Sequence, residues 1–231
     1  MTPVLLQIYE LAGWGFDPEA DRTQLDANAI QFAAQKAEAY LHRRAPYKPA
    51  SPCLGHKQSN LQALLADRAE SVASSDEFDG FNWKLAVIDL RRLVAFQRRL
   101  GFDKKRRITI PDPEDSEALL DIALPRRRLE PGDPSPYMEV AFYRDRWFLR
   151  DGYHRSYDLL RCGITCAPTV VLHARTIEEL GASGHKFYSE DVLFSAKPPM
   201  VCDFGNEALT VSYFRQESAV EASNRYPRIS S

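Results

Sequence analysis

The apolar residues in the first third of the chain recur at helical spacing. Between residues 25 and 44 they fall three and four positions apart, which predicts an amphipathic helix with a narrow, alanine-rich face. A second helix is predicted to open at Ser59, because Gln62 three residues later completes a capping-box pattern ahead of an apolar run. Residues 71–80 are polar and favour a loop. We therefore expect residues 1–80 to form a helical N-terminal prefix.

A short apolar run then introduces a different pattern. Residues 83–88 are mostly apolar and end in β-branched side chains, which predicts a buried strand. Asp89 follows at a position suited to a helix cap, so residues 90–100 are predicted to form a helix. Gly101 is the residue expected to end it.

The second half of the chain alternates short β-rich runs with helices. Four prolines between residues 125 and 136 rule out regular structure in that loop. Arg144 and Asp145 suit a hairpin turn, and Gly163 suits a helix end. The elements predicted around them are a strand at 107–110, a short helix at 114–122, strands at 137–143 and 146–149, a helix at 154–162, and strands at 168–173 and 209–214.

These elements predict an α+β fold in which a mixed sheet is accompanied by short helices. The order strand, strand, helix, strand places the core at residues 81–175. Residues 176–231 are then a C-terminal extension whose strand packs on the core. With residues 1–80 as the helical segment, the chain is divided into three parts.

The net charge and the apolar runs of the chain argue against two classes of partner, nucleic acids and membranes. A formal net charge of −2 and a pI near 6.2 argue against nucleic acid as a partner, because phosphate neutralisation by cationic residues supplies most non-specific affinity. The basic runs at 104–107 and 126–128 are interpreted as solvated loops. No apolar run approaches the roughly 18 residues needed to span a bilayer, and a secretory signal is missing. We expect a cytoplasmic protein with no membrane partner.

The four cysteines show no recognisable framework. Cys162 and Cys166 are separated by three residues rather than by the two of zinc and redox motifs, and Cys53 and Cys202 stand alone. Together with the cytoplasmic assignment, this spacing predicts free thiols. Neither zinc nor a disulfide is expected.

Chemistry is concentrated in one charged turn. Asp151, Gly152, Tyr153, His154 and Arg155 lie where a predicted strand leads into a predicted helix, and the free backbone N–H groups of a helix N-terminus attract anions. Glycine lets the backbone approach an anion, while arginine and histidine donate hydrogen bonds to phosphate oxygens. The same residues also suit a structural role, in which the aspartate caps the helix and the cations form salt bridges.

The turn and its surroundings resemble the ParB/sulfiredoxin superfamily. The matching residues are Asp151, Gly152, His154 and Arg155, and the run at 86–97 resembles the first strand of such domains and the segment after it. Free serine kinases of this fold carry the most similar turn, Asp-Gly-His-His-Arg. The resemblance covers residues 83–173.

The resemblance implies a nucleotide-phosphate site for ATP or CTP. Gly152, Tyr153, His154 and Arg155 would hold the phosphates, Asp151 and His154 would be catalytic, and Asp151 would bind magnesium. Under this reading the protein is an NTP hydrolase or phosphotransferase that acts on a small molecule or a protein. The alternative is a non-catalytic nucleotide-sensing or protein-interaction module, and a nuclease is a distant third.

Two departures from the family pattern restrict the activity. Tyr153 occupies the position of the sulfiredoxin cysteine, so sulfiredoxin chemistry is not expected. Only 58 residues follow His173, which leaves no room for the DNA-binding domain that ParB proteins carry.

Overall fold

The computed structural model describes residues 5–16, 25–54, 59–73, 78–103, 109, 112–126, 135–181 and 187–216. The strands are β1 Leu5–Leu11, β2 Trp83–Asp89, β3 Arg99–Asp103, β4 Glu139–Tyr143, β5 Arg146–Asp151, β6 Cys166–His173 and β7 Thr210–Gln216. The α-helices are α1 Ala27–Arg43, α2 Ser59–Ala73, α3 Ser116–Ala123, α4 Tyr153–Arg161, α5 Ile177–Leu180 and α6 Glu190–Leu193. The protein has an α+β fold, as the sequence predicted.

The predicted core contains a four-stranded mixed sheet. Its strand order is β2-β6-β4-β5, with β6 antiparallel to β2 and parallel to β4. The hairpin β4–β5 is confirmed, and its turn residues Arg144 and Asp145 have φ of +46° and +59°. Left-handed conformations at both positions match the twist of two-residue hairpins. Helix α4 then connects β5 to β6, which gives the predicted order of strand, strand, helix, strand.

A second sheet joins the two ends of the chain to the middle. Strand β1 pairs with β3 on one side and with β7 on the other, all antiparallel. A purely helical prefix at 1–80 was therefore wrong, because the prefix supplies the central strand of this sheet. The strand predicted at 209–214 is confirmed as β7. The division at residues 80 and 175 stays a prediction.

The helix predicted at 90–100 is also wrong. A single 3₁₀ turn, Leu90–Arg92, is followed by an extended segment and by β3, so Gly101 lies inside a strand. The four residues from Leu93 to Phe96 are each at most 2% exposed, and two of their N–H groups form long-range backbone bonds: Val94 N–H donates to Trp147 O at 2.8 Å, and Ala95 N–H donates to Pro199 O at 2.9 Å. Burial of the segment and its long-range hydrogen bonds therefore take the place of the local hydrogen bonds that a helix would form. Asp89 does cap the turn, accepting from Arg91 N–H at 3.1 Å.

The other predicted helices are present with shifted ends. The predicted helix at 25–44 corresponds to α1, and the one at 114–122 corresponds to α3. Helix α2 continues to Ala73, so the loop expected from residue 71 begins later. The capping side chains of Ser59 and Gln62, and the predicted strand at 107–110 except residue 109, lie outside what the structure describes.

Helix α4 lies between the two sheets. It packs on β3 and on the 3₁₀ helix Val201–Gly205, while its predicted end at Gly163 is confirmed by a φ of +80°. The ring of Tyr157 lies 5.1 Å from that of Tyr9 in β1 and 5.0 Å from that of Phe102 in β3. One buried apolar cluster extends beneath it from Leu11 to Phe204. The charged turn at the start of α4 is thereby held at the junction of both sheets.

Candidate functional site

The turn predicted to bind phosphate connects β5 to α4 and is closely packed. Gly152 is buried and has φ +92°, and a Cβ built there would lie 2.7 Å from Cγ of Met138. Both the conformation and the space require glycine. We expected an anion to approach the backbone closely at Gly152. The Met138 side chain occupies that space instead.

Arg155 points into the protein and not to the surface. Its guanidinium donates to the carbonyl oxygens of Ile122 at 3.1 Å and Tyr137 at 2.8 Å, and also to that of Pro136. Burial lowers the pKa of Arg155, and the carboxylates of Asp151 and Glu139 oppose that shift. Arg155 therefore holds the end of α3 against the segment that leads into β4.

Asp151 belongs to a cluster of charges beneath the turn. Its carboxylate accepts the N–H of Gly152, and Glu139 lies opposite it in the β4–β5 register. Burial raises the pKa of Asp151; the bond from Gly152 opposes this, and Glu139 adds to it. Arg150 pairs with Glu139, which is fully buried. The four charges, including Arg155, sum to zero within the protein.

Tyr153 is a core residue. Its side chain is buried, and its hydroxyl oxygen accepts the N–H of Phe96 at 2.9 Å. Burial raises the pKa of the hydroxyl well above its usual value. Tyr153 thus anchors α4 to the extended segment before β3.

His154 is the one exposed side chain of the five predicted site residues. Its Nε2 lies 3.0 Å from the carbonyl oxygen of Gly101, and its ring packs edge-on against Phe102 at 4.9 Å. A carbonyl oxygen only accepts hydrogen bonds, so Nε2 carries the proton. His154 therefore stands at the surface beside the first turn of α4.

The N-terminal turn of α4 directly follows Gly152 and the Asp151 carboxylate. No side chain caps this helix, and Ser156 N–H is the first to bond within it, to Gly152 O at 2.8 Å. The preceding N–H groups of the first turn point along the helix axis, where the macrodipole favours negative charge.

Magnesium fits this turn poorly. The Asp151 carboxylate already accepts a backbone N–H, and the guanidiniums of Arg150 and Arg155 lie close enough to it to oppose the binding of a cation. The neighbouring carboxylate of Glu139 is engaged by Arg150.

The sequence reasoning missed a second group of residues on α4. His154, Tyr157 and Arg161 share one stripe of the helix, and Tyr157 and Arg161 line a cavity of about 680 Å³. Arg91 lines the same cavity. The i, i+3, i+7 spacing on α4 was visible in the sequence, but the position of Arg91 depends on the fold.

No protein-family model, curated protein or solved structure matches this chain. Within the described residues, no helix has both the length and the apolar character needed to cross a bilayer. The four cysteines are free thiols.

Proposed function

We propose that this protein is a ParB/sulfiredoxin-like domain that binds a nucleotide through its phosphates at the N-terminus of α4, as a binding module. One observation carries the proposal: the first turn of α4 has no side-chain cap, directly follows β5, and has His154 exposed beside it. Backbone N–H groups and a histidine suit phosphate oxygens.

The geometry favours binding over phosphoryl transfer. Transfer requires charged groups that stabilise the moving phosphoryl group, usually together with a metal ion. Three N–H bonds of Arg155 already go to backbone carbonyls, and Asp151 accepts from Gly152. Neither side chain is available for catalysis without rearrangement of the turn.

The test is a thermal-shift comparison of wild type and His154→Ala against ATP, CTP, GTP and ADP. A ligand that binds only the folded state raises the melting temperature, so at least one nucleotide should stabilise wild type. The variant should lose most of that shift.

His173→Ala is the matched control, because His173 is also exposed and also packs edge-on against a phenylalanine, Phe142. Its nucleotide shift should equal that of wild type. No shift with any nucleotide, or an equal shift in His154→Ala, would overturn the proposal.

An ATP- or CTP-dependent hydrolase or phosphotransferase is the second candidate. The position of Asp151 directly before the N-terminus of α4 favours it, since a rearrangement of the turn would bring a proton acceptor to a bound phosphate. The enzyme would convert the nucleotide to a product, whereas the binding module would not. Release of phosphate or diphosphate that is abolished in Asp151→Asn would establish the enzyme, whereas binding without product supports the module.

A further inference from the structure

Strand β7 is an edge strand of the second sheet. It pairs with β1 on one side, and no strand in the described part of the chain pairs with its other side. The N–H of Ala12 donates to the carbonyl oxygen of Leu209 at 2.8 Å, so alternate residues from Leu209 onwards bond to β1. The backbone N–H and C=O of Ser212 therefore point away from β1, and Ser212 is exposed. Such an edge offers hydrogen bonds to an added strand.

A cavity lies on each side of this edge. One, the α1 cavity, has about 280 Å³ and is lined by residues of β7 and α1. The other, the α4 cavity, has about 290 Å³ and is lined by residues of β7 and α4. Both are lined by Thr210 and Ser212. Each is smaller than the roughly 300–1,000 Å³ typical of a site for a whole small molecule, so the volumes suit single side chains.

The two cavities lie on opposite faces of β7. Val211 belongs to the same apolar cluster as Ala33 of α1. Ser212 is directly opposite Tyr9 in the ladder, and the Tyr9 ring lies 5.1 Å from that of Tyr157 in α4. Opposite residues share a face, whereas successive residues alternate between faces. A strand added to β7 would therefore direct its side chains alternately to the α1 cavity and to the α4 cavity.

The α1 cavity is mainly apolar. Its lining includes Ala33, Val211 and Phe32, and Phe32 is 69% exposed. The cation at this cavity, Lys36, donates to the carbonyl oxygen of Glu207 at 2.8 Å. An aliphatic side chain placed here would cover apolar surface that is otherwise open to water, which stabilises a complex.

The α4 cavity carries a cation. Arg161 is exposed at the end of α4, and its guanidinium carbon lies 5.7 Å from the centre of the Tyr157 ring. Glu207 also lines this cavity, but Arg161 forms no ion pair with it or with any other residue that the structure describes. Ser212 and Arg161 line the same small cavity, so an acidic side chain beside Ser212 would face the guanidinium.

We propose that the outer edge of β7 binds an extended segment of a partner protein in which an acidic residue lies between two aliphatic residues. The segment adds a strand to the sheet. Its acidic residue pairs with Ser212 and faces Arg161, and its aliphatic residues face the α1 cavity. A second copy of this chain does not supply that pattern through β7, because Thr210–Gln216 contains no acidic residue. This site goes beyond nucleotide binding and does not depend on it.

Fluorescence anisotropy with a labelled peptide, Ser-Val-Glu-Val-Ser, tests the edge. Wild type should bind it, and the isomeric peptide Val-Ser-Glu-Ser-Val, which places valine on the same face as glutamate, should bind at least about tenfold more weakly. Ser212→Pro should lose at least about tenfold in affinity, because proline removes the outward N–H but is tolerated at a strand edge. Ser212→Ala is the matched control, since it keeps that N–H and should bind as wild type does.

Arg161→Glu tests the charge without changing the backbone. It should bind Ser-Val-Glu-Val-Ser about threefold or more weakly than wild type and should bind Ser-Val-Lys-Val-Ser more tightly than wild type does. Arg175→Glu is the control for this variant, because Arg175 is exposed and lines neither cavity. Its preference between the two peptides should match that of wild type.

Three results would overturn the proposal. They are an absence of Ser-Val-Glu-Val-Ser binding by wild type, equal affinity in Ser212→Pro and Ser212→Ala, and an unchanged peptide preference in Arg161→Glu. Sedimentation velocity gives a further check. Self-association of wild type that is lost in Ser212→Pro, without peptide binding, would assign this edge to a second copy of the chain and would also overturn the proposal.

Discussion

At the scale of single residues, Gly152 is the most constrained position of the turn. A side chain there would adopt an unfavourable left-handed conformation and would also meet Met138 at 2.7 Å. We expect Gly152→Ala to lower the free energy of unfolding by about 2–5 kcal/mol, the sum of the left-handed penalty and overpacking. Urea denaturation followed by circular dichroism measures this loss.

Gly163→Ala separates the two contributions. Gly163 also has a left-handed φ, +80°, but a Cβ there would meet nothing within 4 Å. Its substitution should therefore show the conformational penalty alone, about 1–2 kcal/mol. Equal losses for both variants would show that contact with Met138 does not constrain Gly152.

The residue types in the turn predicted its backbone conformation, but they did not predict which residues its side chains contact. Glycine before a helix and aspartate at the strand end are local signals, and both describe the backbone correctly. The direction of the Arg155 side chain was not predictable, because its acceptors include Ile122 in α3 and Tyr137 ahead of β4. Those partners are 33 and 18 residues away in the sequence.

At the scale of elements, Arg155 connects three pieces of the core. Arg155→Met should leave backbone carbonyls unpaired and an excess of negative charge beside Asp151 and Glu139. Since Arg155 is largely rather than fully buried, we expect a loss in the free energy of unfolding near the lower end of the roughly 3–5 kcal/mol range for breaking buried charge pairs. Denaturant unfolding at neutral pH measures it.

Arg175→Met serves as the comparison for this loss. Arg175 is exposed and pairs with Glu179 four residues further along the chain, an arrangement that stabilises proteins little. Its unfolding midpoint should stay close to that of wild type. If Arg155→Met were equally harmless, the guanidinium would be free to serve a ligand, and the phosphate role implied by the sequence would regain support.

The segment at 90–100 shows why one element could not be predicted. Its apolar residues suit a helix, and Asp89 does cap a first turn. The helix stops after one turn because Val94 and Ala95 find acceptors at Trp147 and Pro199, in distant parts of the chain. A local pattern contains no information about these competing partners.

At the scale of the whole molecule, β1 is central although it lies near the start of the chain. It pairs on both edges, with β3 and with β7, and the side chains of Leu6 and Ile8 are buried. We expect its amide hydrogens to exchange with solvent as slowly as those of β6. Hydrogen exchange read by mass spectrometry of peptides checks this.

Helix α5 provides the internal comparison for exchange. It has only four residues and is partly exposed, so its amides should exchange quickly. Exchange of β1 at the rate of α5 would mean that β1 frays as an ordinary chain terminus does. The second sheet would then not form one cooperative unit with the core.

The sequence by itself determined the elements whose signals are local. These are the β4–β5 hairpin, helix α4 with its glycine end, helix α1 and the strands β2, β6 and β7, which together predicted the α+β class. Residue periodicity, turn residues and helix caps act over a few positions, so they can be read along the chain.

Only the tertiary structure decided what the candidate site contains. It directed Arg155 and Tyr153 inwards and left His154 at the surface. It also made β1 the partner of β3 and β7. These arrangements depend on contacts between residues far apart in the chain, which are selected by the packing of the whole core and not by any local pattern.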